Sequence, residues 1–191
     1  MRNEPDATSG LRCFVALVPD AASRRALQQC RASLERTIVG AARRVRWVEP
    51  AALHLTLRFL GNSDSAQIEY FKCTLPALAT PLPAIAARRF GVWPNRARPR
   101  LLVLELESEP AIVDLAAECE RHARTAGFEP EPRRFRAHIT LARLRPGCAF
   151  AILPTPPQAV TFDAIALMQS TLAQPAARYT ELARSPLLQA G

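Results

Sequence analysis

Two five-residue stretches, Leu-His-Leu-Thr-Leu at 53–57 and Ala-His-Ile-Thr-Leu at 137–141, lie 84 residues apart in a chain of 191. That offset is close to half the chain. It points to a duplicated unit and to two lobes facing each other across a pseudo-two-fold axis, since the period is too long and the copies too few for a solenoid. Side chains on a strand alternate between faces. Each copy therefore turns its aliphatic residues one way and its polar pair the other: His54 with Thr56, and His138 with Thr140. If the lobes pack around a cleft, two imidazoles and two hydroxyls converge in it.

The rest of the chain reads as alternating short strands and helices. Strands are expected over 13–18, 45–48, 53–60, 84–93, 101–106, 135–144, 159–169 and 178–182. Helices are expected from Asp20 to about Ile38, after Asp64 with Gln67 completing a capping box, and over 111–126 with Gly127 as its stop. Pro76 must kink or shorten the second helix. About eight strands and three helices give an α+β fold. It is expected to be bilobal, with two antiparallel sheets, flanking helices and a central cleft. The polar residues 1–10 read as a flexible leader, and 11–191 as a single bilobal domain with no separable linker.

The net charge of +8 and pI near 10.2 raise the local concentration of a polyanion. Lys72 is the only lysine, a bias that a GC-rich genome also produces, so arginine preference alone does not argue for RNA. A basic surface with no partner is an equally good account of the charge. Five unpaired-looking cysteines, at 13, 30, 73, 119 and 148, give neither a disulfide framework nor a Cys-rich zinc site. There is no apolar run long enough to span a membrane and no secretory signal pattern, so a cytoplasmic location with no membrane partner is expected.

The His-and-Thr constellation suits the opening of a cyclic phosphodiester. Water must lose a proton on one side of phosphorus while the departing ribose oxygen gains one on the other. Imidazole does either near neutral pH. Threonine hydroxyls can donate to the non-bridging oxygens, and nearby arginines can stabilise developing charge. A lone His-x-Thr carries no information; two copies half a chain apart do. Zinc is the competing reading, but a catalytic site usually needs three protein ligands. The third histidine, His122, falls beside the apolar line of the third helix and reads as structural. Neither metal nor cofactor is expected. Phe14, Trp47 and Tyr179 are candidates for stacking a base, although core packing is the favoured reading of each. By strict alternation Arg58 shares the face of His54, with a surface position equally open. Arg143 falls on the wrong face relative to His138, so it reaches the cleft only if a bulge or strand end intervenes.

The chain resembles the bacterial RNA 2′,3′-cyclic phosphodiesterases, first described as 2′-5′ RNA ligases, within the 2H phosphoesterase superfamily. Its two His-x-Thr motifs stand as HLTL at 54–57 and HITL at 138–141. RCFVAL at 12–17, RWVEPAALHLTLRFLG at 46–61, PNRARPRLLVLEL at 94–106, FRAHITLARL at 135–144 and LMQSTLAQPAARYTELARSPL at 167–187 are similar to the family's strands and closing hairpin. The resemblance implies hydrolysis of an RNA 2′,3′-cyclic phosphate to a 2′-phosphate, with His54 as proton donor and His138 as proton acceptor. It implies Arg143 as a phosphate-binding residue beside Thr56 and Thr140. The implied partners are RNA ends or nucleotides bearing a 2′,3′-cyclic phosphate, and the protein is expected to act as a monomer. Reversible joining of RNA ends is a side activity the resemblance allows. A non-catalytic RNA- or nucleotide-binding protein is the main alternative. A phosphodiesterase for small cyclic nucleotides or 2′-5′ oligoadenylates is the second.

Overall fold

The computed structural model describes residues 10–39, 42–171 and 178–188. Apart from Gly10, the expected leader lies outside the described residues. The elements run β1 (Leu11–Pro19), α1 (Ala21–Glu35), β2 (Ile38–Val39), β3 (Val45–Trp47), β4 (Leu55–Ser63), α2 (Ser65–Leu78) and β5 (Ile85–Trp93). They continue β6 (Leu101–Leu106), α3 (Pro110–Thr125), β7 (His138–Leu144), β8 (Ala149–Phe150), β9 (Ala159–Val160), β10 (Phe162–Thr171) and β11 (Arg178–Pro186). The strands beyond the expected eight are β2 and β8, two-residue pairings too short to show any periodicity, and a second piece of the expected strand 159–169, which divides into β9 and β10.

Local chemistry sets the helix ends. The Asp20 carboxylate accepts the Ser23 backbone N–H at 2.6 Å and starts α1. Asp64 and Gln67 form the reciprocal capping box of α2, as their spacing requires. Pro76 sits in the last turn of α2, which ends two residues later at Leu78. Pro110 opens α3, where its missing N–H costs nothing. Gly127 takes φ +84° just past the end of α3, a conformation that favours glycine.

Nine strands form one antiparallel sheet in the order β11-β10-β1-β4-β7-β6-β5-β9, with β3 also paired to β7. The sheet divides into two halves, β11-β10-β1-β4 and β7-β6-β5-β9. Its central strands, β4 and β7, pair at one residue couple, Leu55 with Ile139. Past that rung the free edge of β7 is taken by β3, through Val45–Leu144, Arg46–Arg143 and Trp47–Ala142. The two expected antiparallel sheets are thus continuous through a narrow waist that carries both motifs. Leu55 and Ile139 are fully buried in a core shared with Leu34 of α1, Phe71 of α2 and Ile112 of α3. Each such side chain contributes about 1.5–3 kcal/mol by leaving water.

Both motif strands bulge at the same place. Opposite β1, Val15 faces Arg58 and Ala16 faces Thr56, leaving Leu57 as an extra residue. Opposite β6, Leu102 faces Ala142 and Val103 faces Thr140, leaving Leu141 extra. Leu57 and Leu141 are the fourth residues of the two motifs. An inserted residue reverses the alternation that follows it.

Candidate active site

The Leu55–Ile139 rung builds the site. In antiparallel pairing, one step either way along the register sets His54 opposite Thr140 and Thr56 opposite His138. All four lie on the face away from the buried Leu55 and Ile139. The two histidines occupy a diagonal of this rectangle, and diagonal neighbours across such a pair stand about 7–8 Å apart. That spacing leaves room for a phosphate group between the rings.

Each ring is held by the same device. His54 Nδ1 lies 2.8 Å from the Ala52 carbonyl oxygen, and His138 Nδ1 lies 2.7 Å from that of Arg136. A carbonyl only accepts, so both Nδ1 atoms carry the hydrogen, and each neutral ring keeps a lone pair on Nε2. Both rings are half-buried. Burial pushes the His54 pKa below the ordinary histidine value. The Ala52 bond opposes this, and the nearby His138 and Arg143 charges add to it. Burial also lowers the His138 pKa. The Arg136 carbonyl bond opposes it, the Arg136 guanidinium adds to it, and Glu105 opposes it. Among the described residues, the Thr56 and Thr140 hydroxyls have no protein partner and remain free to donate.

The two bulges decide which basic residues reach the cleft. Leu141 shifts the phase of β7, burying Ala142 and turning Arg143 to the face of His138, where the sequence required an irregularity. Its guanidinium donates to the Tyr179 hydroxyl at 3.3 Å. Leu57 does the same to β4, so Arg58 does not share the face of His54. Arg58 is 7% exposed and turns toward α3, where it pairs with Glu120 and donates to the Phe59 and Glu129 carbonyls. Phe59 takes the outward position instead, at 45% exposure.

The aromatic expectations divide. Tyr179 stands edge-on to His54 with ring centroids 5.0 Å apart. Phe14 packs 4.8 Å from the His54 ring but is only 1% exposed, so it has no face to offer a base. Its place is as the floor beneath His54, which corrects its assignment to substrate binding. Trp47 is not in the cleft: it lines a cavity on the core side with Leu27, Leu34 and Leu53, under the Arg31 guanidinium. His122 bonds the Tyr70 hydroxyl at 2.8 Å, linking α3 to α2. Among the described residues, no cluster of three or more His, Cys, Asp or Glu side chains could hold a metal ion.

Sequence reasoning missed the surroundings of His138. Trp93 packs against its ring at a tilt, with centroids 4.5 Å apart. The Trp93 indole N–H donates to Glu105 at 2.7 Å, Arg89 donates to the other Glu105 oxygen at 2.9 Å, and Glu105 pairs directly with His138 across the strands. Burial alone would raise the Glu105 pKa. The Trp93 and Arg89 hydrogen bonds, with the Arg89 and Arg136 charges, outweigh it and hold the carboxyl below its usual value. Gly91 makes the arrangement possible, because a Cβ there would lie 2.7 Å from Glu105 Oε1. The available signal was one acid inside the aliphatic strand Leu-Leu-Val-Leu-Glu-Leu at 101–106.

The family model described as LigT-like phosphoesterase matches this chain twice in succession, over residues 18–103 and 104–179, one motif in each. The chain belongs to the LigT-like phosphoesterase family. Similar proteins include the RNA 2′,3′-cyclic phosphodiesterase of Bacillus subtilis, 32% identical over 100 residues, which are 51% of this chain and 55% of that protein. The match thus spans little more than half of that relative. The protein of the same name from Aquifex aeolicus is 29% identical over 139 residues, 71% of each chain. Among solved structures, E. coli LigT complexed with 3′-AMP superposes with a TM-score of 0.72 at 27% identity, covering 94% of this chain and 99% of that one. The α+β architecture is therefore that of the LigT-like phosphoesterases.

Proposed function

We propose that this chain hydrolyses RNA 2′,3′-cyclic phosphates to 2′-phosphates without a metal ion, using His54 and His138 as paired acid and base. One observation carries the reading: the single β4–β7 rung sets both rings on one face, each locked at Nδ1 by a carbonyl two residues earlier. Each ring thereby presents Nε2 for proton transfer. Water attacks phosphorus as His138 Nε2 takes its proton. The P–O3′ bond breaks in line, and His54 Nε2–H delivers a proton to the departing 3′ oxygen. Which ring is acid and which is base follows the family pattern. Thr56 and Thr140 donate to the non-bridging oxygens, and Arg143, steadied by Tyr179, neutralises their growing charge.

Relatives named for this activity and a basic charge of +8 support RNA ends or nucleotides with a cyclic phosphate as substrate. The five cysteines are all free, which fits a reducing cytoplasm. None of the described helices is long and apolar enough to cross a membrane. We take the working form to be a monomer of one bilobal domain. The test is hydrolysis in EDTA of 2′,3′-cyclic nucleotides and of RNA ending in a cyclic phosphate, with the product phosphate located by NMR. A 2′-phosphate product formed in EDTA is expected. A 3′-phosphate product, or turnover only with added metal, overturns the mechanism; binding without turnover leaves the non-catalytic alternative.

A further inference from the structure

A groove of about 560 Å³ opens beside Trp93 on the second lobe, bordered by β5, Glu105 of β6 and residues 151–154. We propose that this groove binds the single-stranded polyribonucleotide chain attached to the cyclic-phosphate end. The proposal rests on the function given above and extends it from the reacting phosphate to the chain behind it.

Three features carry it. First, the groove adjoins the site: Trp93 lines it and also packs against His138 at 4.5 Å. Second, its charge is cationic. Arg89, Arg96 and Arg136 line it against one carboxylate, Glu105, which is already engaged by Arg89 and Trp93. Arg96, on the turn after β5, makes no side-chain hydrogen bond or ion pair among the described residues and is exposed. Third, it offers flat and apolar surfaces to bases. The Arg136 guanidinium lies 3.9 Å over the Trp93 ring, and Ile152, 80% exposed, lines the groove with Pro154. Single-stranded RNA is recognised through such pairings of cations for phosphates with guanidinium or apolar planes for unstacked bases. A protein partner would gain little from a strip this charged, and a metal finds too few acids in it.

The experiment compares kcat/KM for a tetraribonucleotide ending in a 2′,3′-cyclic phosphate with kcat/KM for the 2′,3′-cyclic mononucleotide. It uses the wild-type chain, Arg96→Ala and Ile152→Asp, both exposed positions where substitution is tolerated. The wild-type ratio should exceed one by about tenfold, and each variant should lower it about fivefold. A wild-type ratio near one, or a ratio that neither variant changes, overturns the proposal. Anisotropy with a labelled tetraribonucleotide ending in a 2′-phosphate separates this from the function itself. If neither substrate turns over but Arg96→Ala weakens binding and flattens the salt dependence by about one unit, the groove stands and the hydrolase reading falls. If the mononucleotide is hydrolysed and neither variant alters oligonucleotide binding, the groove alone is wrong.

Discussion

His54 and His138 stand on equivalent positions of the two lobes, on the same kind of bulged strand and tied at Nδ1 in the same way, yet their neighbours differ. His54 sits among aromatic rings, with Phe14 at 4.8 Å and Tyr179 at 5.0 Å, and the charges that act on it, His138 and Arg143, are positive. His138 packs on Trp93 and faces a carboxylate, Glu105, as well as the Arg136 cation. The residues after the bulges differ too. In the first lobe the cation, Arg58, is buried and the apolar Phe59 is outside. In the second the apolar Ala142 is buried and the cation, Arg143, is outside. The scaffold repeats while the electrostatics do not, so one backbone solution sets the same side chain in two different electrostatic surroundings.

The sharpest way to break the comparison is to remove each ring. His54→Ala and His138→Ala should each lower kcat by about 10²-fold or more while the circular dichroism spectrum is kept. Each should also erase a different limb of the pH–rate profile. Loss of the same limb in both would mean that the rings do not divide the work.

Next in size is Arg58→Ala. It strands Glu120 beside an emptied, buried position, takes a more distant cation from Glu131, which keeps Arg133, and should cost about 3 kcal/mol in urea unfolding. Both carboxylates retain some exposure, which keeps the loss at the low end for a broken buried pair. The same position in the second lobe, Ala142, has no charge to lose, so a loss near zero for Arg58→Ala would remove this contrast between the lobes.

Thr56→Val and Thr140→Val keep the shape and β-branching but delete one donor to the phosphate. A hydrogen bond to a charged group contributes about 1.5–3 kcal/mol, so kcat/KM should fall about 10- to 100-fold in each. A change below twofold in either would exclude that hydroxyl from the site.

The smallest effect concerns pH. Both histidine pKa values are depressed by burial, so a proton on either ring is lost before pH 6.5 in the free protein. The kcat/KM maximum should therefore lie on the acid side of about 6.5. Stability runs the other way. An unfolded chain binds protons at these sites more readily, so the contribution present above about pH 6.5 is lost as pH falls toward the folded values. Thermal unfolding followed from pH 7.5 to 5 should show the decline, less steep in His54→Ala. Glu105→Gln removes a charge that raises the His138 pKa, so the limb belonging to His138 should move to lower pH by a fraction of a unit.

Much of this was legible in the chain. His54, Thr56, His138 and Thr140 were readable because alternation and an 84-residue echo survive any detail of packing. The helix caps at Asp20 and Asp64 were equally local. The bulges were half legible: Arg143 demanded one, since alternation aimed it away from the cleft. Arg58 obeyed alternation on paper, and nothing in Leu-Thr-Leu-Arg-Phe shows that Leu57 is the extra residue. Glu105 showed only as one acid in an aliphatic strand, and Trp93 not at all, because their meeting with His138 depends on the β5–β6–β7 register, which no single segment encodes. Phe14 was aromatic and near the site, but burial depends on which strands flank it, and β10 and β4 enclose it on both sides.

The waist of the sheet has a mechanical consequence. Two broad plates are riveted where Leu55 meets Ile139, and each imidazole sits one residue from the rivet. Substitutions and insertions at the outer rims reshape what the plates border, while the spacing of the two imidazoles is set at the rivet. A lineage of such proteins is thereby free to vary its rims while keeping the two rings in register.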